Sequence, residues 1–177
     1  YTEVVDITEG MQDGMVYFSL PEGMWRIVLL IKTQSGIDKH SLLYCDMLDE
    51  RSVGLFVDEV YEKHYQELKA YFGNTFLGFF SDEPGFLNVV NTYFNRLGDR
   101  TCSYPYCGDL CDLISKSSGL DKDKCTLYLS ALWEDLGDVT PLIRTHYMDT
   151  VTRLYRENFS FLLGDWCREH GVSYIGH

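Results

Sequence analysis

Asn74-Thr75-Phe76-Leu77-Gly78-Phe79-Phe80-Ser81-Asp82-Glu83-Pro84-Gly85-Phe86 is the stretch from which the fold is read. It follows Gly73, a residue type that stops helices. It continues as a short, Phe-rich apolar run and ends in two carboxylates, a proline and a glycine. A short apolar run bounded by turn residues suits a buried strand of a parallel sheet. Pro84 and Gly85 then end the strand. Asp82 and Glu83 are therefore expected where a buried strand emerges at its C-terminal end. In α/β barrels and open α/β sheets, ligands bind and chemistry occurs at that edge.

Upstream, Val53, Phe56, Val60, Leu68, Tyr71 and Phe72 recur at helical spacing and predict a helix over 50–72. Asp49 is its expected N-cap. Residues 41–48 predict a strand and its exit. Downstream, residues 87–108 form a long connection containing Asn88, Asn91, Tyr93, Asn95, Arg96, Tyr104, Pro105 and Tyr106. A long loop leaving the carboxylate end of a strand should border a site there. Short helices are expected over 109–117 and 125–136. Thr140, as N-cap, and Pro141 at the first helical position open a long helix. Its apolar face runs from Leu142 and Ile143 to Trp166, interrupted by Asn158, which needs hydrogen-bond partners if buried. Gly171 closes that helix, and residues 172–177 predict a last strand. Strand, helix, strand, excursion, helix, strand is the order of an α/β protein with a parallel sheet.

Residues 1–40 read instead as an accessory antiparallel β layer. Its expected strands are Val4-Val5-Asp6-Ile7, a run over 15–20 and a run over 25–31, with a turn at Pro21-Glu22-Gly23. Three parallel strands leave open edges, and a barrel must close. The expected partner is thus the remainder of a larger polypeptide, or another copy that completes the sheet.

The chain has 177 residues, net charge −12 and an isoelectric point near 4.7. That balance argues against nucleic acid and anionic membranes as partners. No apolar run is long enough to span a bilayer, and no signal peptide is evident. Tyr1 in place of an initiator Met predicts that something upstream is missing. Cys102, Cys107 and Cys111 form a C-x4-C-x3-C cluster without a standard zinc spacing. Free thiols in a reducing compartment are expected, favouring the cytoplasm; a disulfide or a metal site is the alternative. No cofactor is implied. Aromatic content is 15%; most of it should fill the core, and exposed rings would suit stacking on sugars.

Asp82-Glu83-Pro84 resembles the end of the fourth barrel strand in many (β/α)8-barrel glycoside hydrolases, where Asn-Glu-Pro is common. Asp82 stands in place of that Asn. Further features resemble one bacterial group of large multi-domain glycoside hydrolases that includes rhamnosidase-like enzymes. They are Asp46-Met47-Leu48-Asp49, Tyr71-Phe72-Gly73, Trp133-Glu134-Asp135-Leu136-Gly137-Asp138 and Trp166-Cys167-Arg168-Glu169-His170-Gly171, with the turn at Pro21. The resemblance implies that residues 41–177 are a partial TIM barrel around the fourth and fifth strands. It also implies that Glu83 is the general acid/base. The nucleophile of such retaining enzymes lies on the seventh strand, for which this chain holds no candidate.

Glycosidic cleavage needs a protonated carboxyl at the leaving oxygen and a second carboxylate as nucleophile or base. Burial at a strand end can raise a Glu pKa into that range. For Glu83 the alternative is a loop cap or a pair with Arg96. Asp82 should point to the opposite face of the strand, where it would hold a sugar hydroxyl or orient a neighbour. Asp46 is the internal candidate for a second carboxylate. His177 ends its strand on the same edge and would donate to substrate. Tyr104 and Tyr106 form either a sugar-stacking wall or packing around Pro105. His40, His64, His146 and His170 lack metal-ligand spacing. Besides a glycosidase segment acting on oligo- or polysaccharides, two readings remain. One is a non-catalytic carbohydrate-binding or scaffold module; the other is a metal-dependent hydrolase built on the three clustered cysteines.

Overall fold

The structure is a computed structural model that describes residues 3–33, 44–86 and 97–176. The helical stretch after Asp49 forms as expected. The Asp49 carboxylate accepts the Arg51 N–H and caps α1 (Glu50–Phe56). The helix continues through π-helical residues Val57–Glu62, α2 (Lys63–Leu68) and a 3₁₀ turn, Lys69–Tyr71. It stops because the Tyr71 carbonyl accepts from the amides of Asn74, Thr75 and Phe76. Gly73 takes φ +75° in that turn, a conformation that costs a glycine little.

These amides are spent on the turn, so the strand is shorter than the sequence pattern predicts. β3 spans Gly78–Ser81. It pairs in parallel with β4 (Ser173–Gly176), Gly78 opposite Ser173 and Ser81 opposite Gly176. Between them lie α3 (Leu110–Ser118), α4 (Lys122–Tyr128), a 3₁₀ turn (Leu129–Leu132) and a long helix. The long helix is α5 (Val139–Tyr155), a π-helical segment (Arg156–Phe161) and α6 (Leu162–Glu169). It begins at Val139 with Asp138 as N-cap, two residues before the expected Thr140 cap. Thr140 Oγ1 instead accepts the Leu136 amide.

Two apolar clusters hold these elements. Under the sheet, Val53, Val57, Tyr61, Leu163 and Trp166 pack against Phe79 and Tyr174. The Tyr61 and Phe79 rings stack at 4.0 Å, with Trp166 edge-on to both. In the excursion, Leu110, Ile114, Cys125 and Ala131 pack on Ile143 and Tyr147 of α5. Phe86 and Tyr155 touch both clusters. Asn158 finds its partner: its Nδ2 donates to the Leu48 carbonyl at 2.7 Å.

The accessory layer differs from expectation. Its only ladder among the described residues is a hairpin of β1 (Met11–Gln12) and β2 (Met15–Val16). The turn is Asp13-Gly14, with φ +50° and +76°, the two-residue type I′ geometry. No strand forms over 4–7 or 25–31, and the run over 15–20 keeps only two paired residues. A strand needs a ladder partner, and among the described residues the backbone of 24–31 joins none; Met24, Ile27 and Ile31 are 102%, 71% and 73% exposed. Residues 44–48 are also irregular. There the backbone serves side chains: Asp46 Oδ1 accepts the Leu48 amide, and Ser52 Oγ accepts the Asp46 amide. The rest of that expected strand, 41–43, lies outside the described residues.

The architecture is a mixed helix-and-strand one with two small sheets. No helix among the described residues is long and apolar enough to cross a membrane. The accessible surface is 12460 Å², against about 8,900 Å² for a compact protein of this mass. On the outer face of the sheet the register partners Phe80 and Ile175 remain 63% and 57% exposed.

Candidate functional site

β3 and β4 are held by close backbone approach at both ends. A Cβ at Gly78 would lie 2.1 Å from the Ser173 carbonyl oxygen, and one at Gly176 would lie 2.6 Å from that of Ser81. Only glycine fits at either end of the pair, and that fixes the register at the point where the carboxylates emerge. Asp82 and Glu83 are both exposed there. Glu83 has φ +46°. A residue before proline is ordinarily driven to φ near −120°, and the left-handed region costs a non-glycine residue about 1–3 kcal/mol. The chain has left strand geometry by Glu83, so the expected alternation of faces ends at Asp82. Among the described residues the Glu83 carboxylate has no hydrogen bond or ion pair.

Behind this edge the wall is apolar. Phe79 lies on Tyr61. Burial, then nearby ionisable neighbours, push the Tyr61 hydroxyl far above its ordinary pKa, although it also bonds Ser81. It stays protonated and supplies no charge.

The other sequence candidates divide. His177, Asn88, Asn91 and Arg96 lie outside the described residues. Asp46 serves the turn before α1, and nothing here places it beside Glu83. Tyr104 is a packing residue: its ring tilts against Trp133 at 4.8 Å, and its hydroxyl donates to the Asp99 carbonyl. Tyr106 is 38% exposed, with the Lys32 ammonium 5.1 Å from its ring centre. All six cysteines are free. Burial, reinforced by Asp109, pushes the Cys107 thiol up to about 12, and burial takes Cys167 to about 11. Neither is a ready nucleophile or metal ligand at neutral pH. No three His, Cys, Asp or Glu side chains converge to hold a metal among the described residues.

A second polar centre escaped sequence reasoning. Glu134 is buried, and its Oε2 accepts from Arg26 and Arg100, each at 2.7 Å. Burial pushes the Glu134 carboxyl up, but the two guanidiniums outweigh it and hold the group below the usual carboxylate range. Arg144 donates to the carbonyls of Ala131 and Glu134, which closes the end of the 3₁₀ turn. Arg26 and Arg100 lie 108 and 34 residues from Glu134, so no local pattern announces these pairs.

No protein-family profile, no curated protein and no solved structure matches the chain.

Proposed function

We propose that this chain is part of the catalytic (β/α)8 barrel of a glycoside hydrolase, with Glu83 as general acid/base and the second carboxylate supplied from outside residues 1–177. The observation that carries the reading is the placement of Glu83. It is an exposed carboxylate, without a partner among the described residues, at the C-terminal edge of a parallel strand pair, held at φ +46° ahead of a proline. Backbone strain of this kind gathers where function requires a set geometry. Further support comes from the outer face of the sheet, where Phe80 and Ile175 are 63% and 57% exposed. Parallel sheets occur with both faces covered, and in a barrel the face carrying Phe80 and Ile175 would be interior. Asp82, one residue earlier, is the candidate to hold a substrate hydroxyl.

The test is hydrolysis by the full-length polypeptide that contains this chain. Glu83→Gln should lower turnover of glycosides with poor leaving groups by roughly 10²–10⁴-fold, the usual contribution of a positioned acid. Activated aryl glycosides, which need little protonation, should lose less. Equal turnover by wild type and Glu83→Gln on both substrate classes would remove Glu83 from the mechanism.

A further inference from the structure

The groove beside Trp133 lies apart from the strand-end carboxylates, on the solvent side of the excursion's apolar cluster, against which Trp133 and Leu97 pack. It encloses about 700 Å³ and is lined by Leu97, Gly98, Arg100, Trp133, Glu134 and Arg144, with Asp99 and Asp135 at its rim. The ring of Trp133 is fixed in place. Its Nε1 donates to the Cys102 carbonyl at 2.7 Å, and Tyr104 packs against it. The floor is fixed too: the Gly98 amide bonds the Leu132 carbonyl at 2.7 Å, and Gly98, at φ +93°, lies against the Arg144 guanidinium. A rigid aromatic surface surrounded by planar, fork-shaped polar groups matches a pyranose ring, which offers an apolar C–H face and an equatorial belt of hydroxyls. The charges decide which sugar. Among the described residues the lining sets Arg100 and Arg144 against Asp99, Glu134 and Asp135, with Arg26 reaching Glu134 from beside it, so the groove has no excess of positive charge to offer a carboxylate or sulfate.

Its position suits a long substrate. β3 and β4 run parallel, so the helix between them returns antiparallel to β3, and α5 begins on the Glu83 side. Phe86, three residues after Glu83, meets Tyr155 with ring centres 5.8 Å apart. Arg144 lies eleven residues earlier on α5, about 16 Å along the axis.

We propose that this groove is a remote binding subsite for an uncharged pyranose unit of an oligosaccharide. Its place in catalysis rests on the glycosidase reading above; its binding does not. The experiment uses the full-length polypeptide carrying Glu83→Gln, so that nothing is consumed, titrated calorimetrically with cellohexaose, xylohexaose, mannohexaose and hexagalacturonate. At least one neutral hexasaccharide should bind, and hexagalacturonate should bind more weakly. Trp133→Ala should weaken the neutral ligand roughly tenfold or more, as loss of a central aromatic anchor does. Arg100→Ala guards against misfolding, since Arg26 remains on Glu134; it should weaken binding while leaving the urea midpoint near wild type. No binding by any neutral hexasaccharide at millimolar concentration overturns the proposal. So does undiminished binding in both variants, or tighter binding of hexagalacturonate. Binding that obeys these rules while wild type cleaves nothing would sink the glycosidase reading and leave the subsite standing.

Discussion

Replacing Gly78 by alanine tests whether the β3–β4 contact is as close as the backbone implies. The new methyl carbon would lie 2.1 Å from the Ser173 carbonyl oxygen and 2.9 Å from its carbon. Both atoms are backbone, so no side chain can swing away; the strands must part by more than an ångström. Overpacking of this kind costs about 1–3 kcal/mol. Each ladder hydrogen bond lost adds about 0.5–1.5 kcal/mol. The lower entropy of alanine in the unfolded chain returns about 0.4–1 kcal/mol. With one such bond lost, the expected net loss is about 0.5–4 kcal/mol. Gly54→Ala is the matched control: it lies in α1 with nothing within 4 Å of its Cβ position, and it should gain up to about 1 kcal/mol. Urea unfolding followed by tryptophan fluorescence reads both, because the Trp166 ring is 5.9 Å from that of Phe79. A Gly78→Ala midpoint at or above wild type, with Gly54→Ala raised as expected, would refute the close approach.

Other outcomes follow from single contacts. Leu163→Ala empties a fully buried position beside Trp166 and should cost about 2–5 kcal/mol by the same unfolding assay. Asn158→Ala leaves the Leu48 carbonyl without its donor; a loss of about 1–3 kcal/mol is expected, and a neutral result would show that water replaces the amide. Asp49, held down by its bonds to Arg51, and Glu134, where the guanidiniums outweigh burial, both have folded pKa values below the ordinary range. Their stabilisation is therefore present above the unfolded carboxylate pKa, about 4, and is lost as pH falls through the lower folded values. Melting temperature should drop on acidification below that point, and Glu134→Gln should flatten the drop; an unchanged acid slope would contradict the assignment. Glu83→Gly relieves the left-handed strain, worth about 1–2 kcal/mol, less about 0.5–1 kcal/mol of unfolded-state entropy. Differential scanning calorimetry should thus find the variant no less stable than wild type, whereas strain-free geometry at Glu83 would make it less stable.

The helices were legible in the sequence because their causes are local. Asp49 caps its helix through its own side chain, Gly73 and Gly171 adopt positive φ at helix ends, and the apolar faces recur along each segment. The need of Asn158 for a partner, and the emergence of Asp82 and Glu83 at the end of a parallel strand, also followed from residue type and order. The hairpin was within reach as well, since Asp13-Gly14 is a recognisable type I′ turn, but the apolar runs on either side drew the strands to the wrong places. What the tertiary structure alone decided depends on partners far along the chain. Residues 25–31 have strand-forming side chains but join no ladder among the described residues. Of the two readings open for Tyr104, a sugar wall or packing, packing is the one seen, because Trp133 and Tyr147 arrive from the excursion and α5. Glu134 becomes a buried, doubly paired carboxylate only when Arg26 and Arg100 are brought to it. Composition and periodicity act within a few residues of one another; hydrogen bonds, ion pairs and close backbone approach form only where the folded chain brings distant residues together.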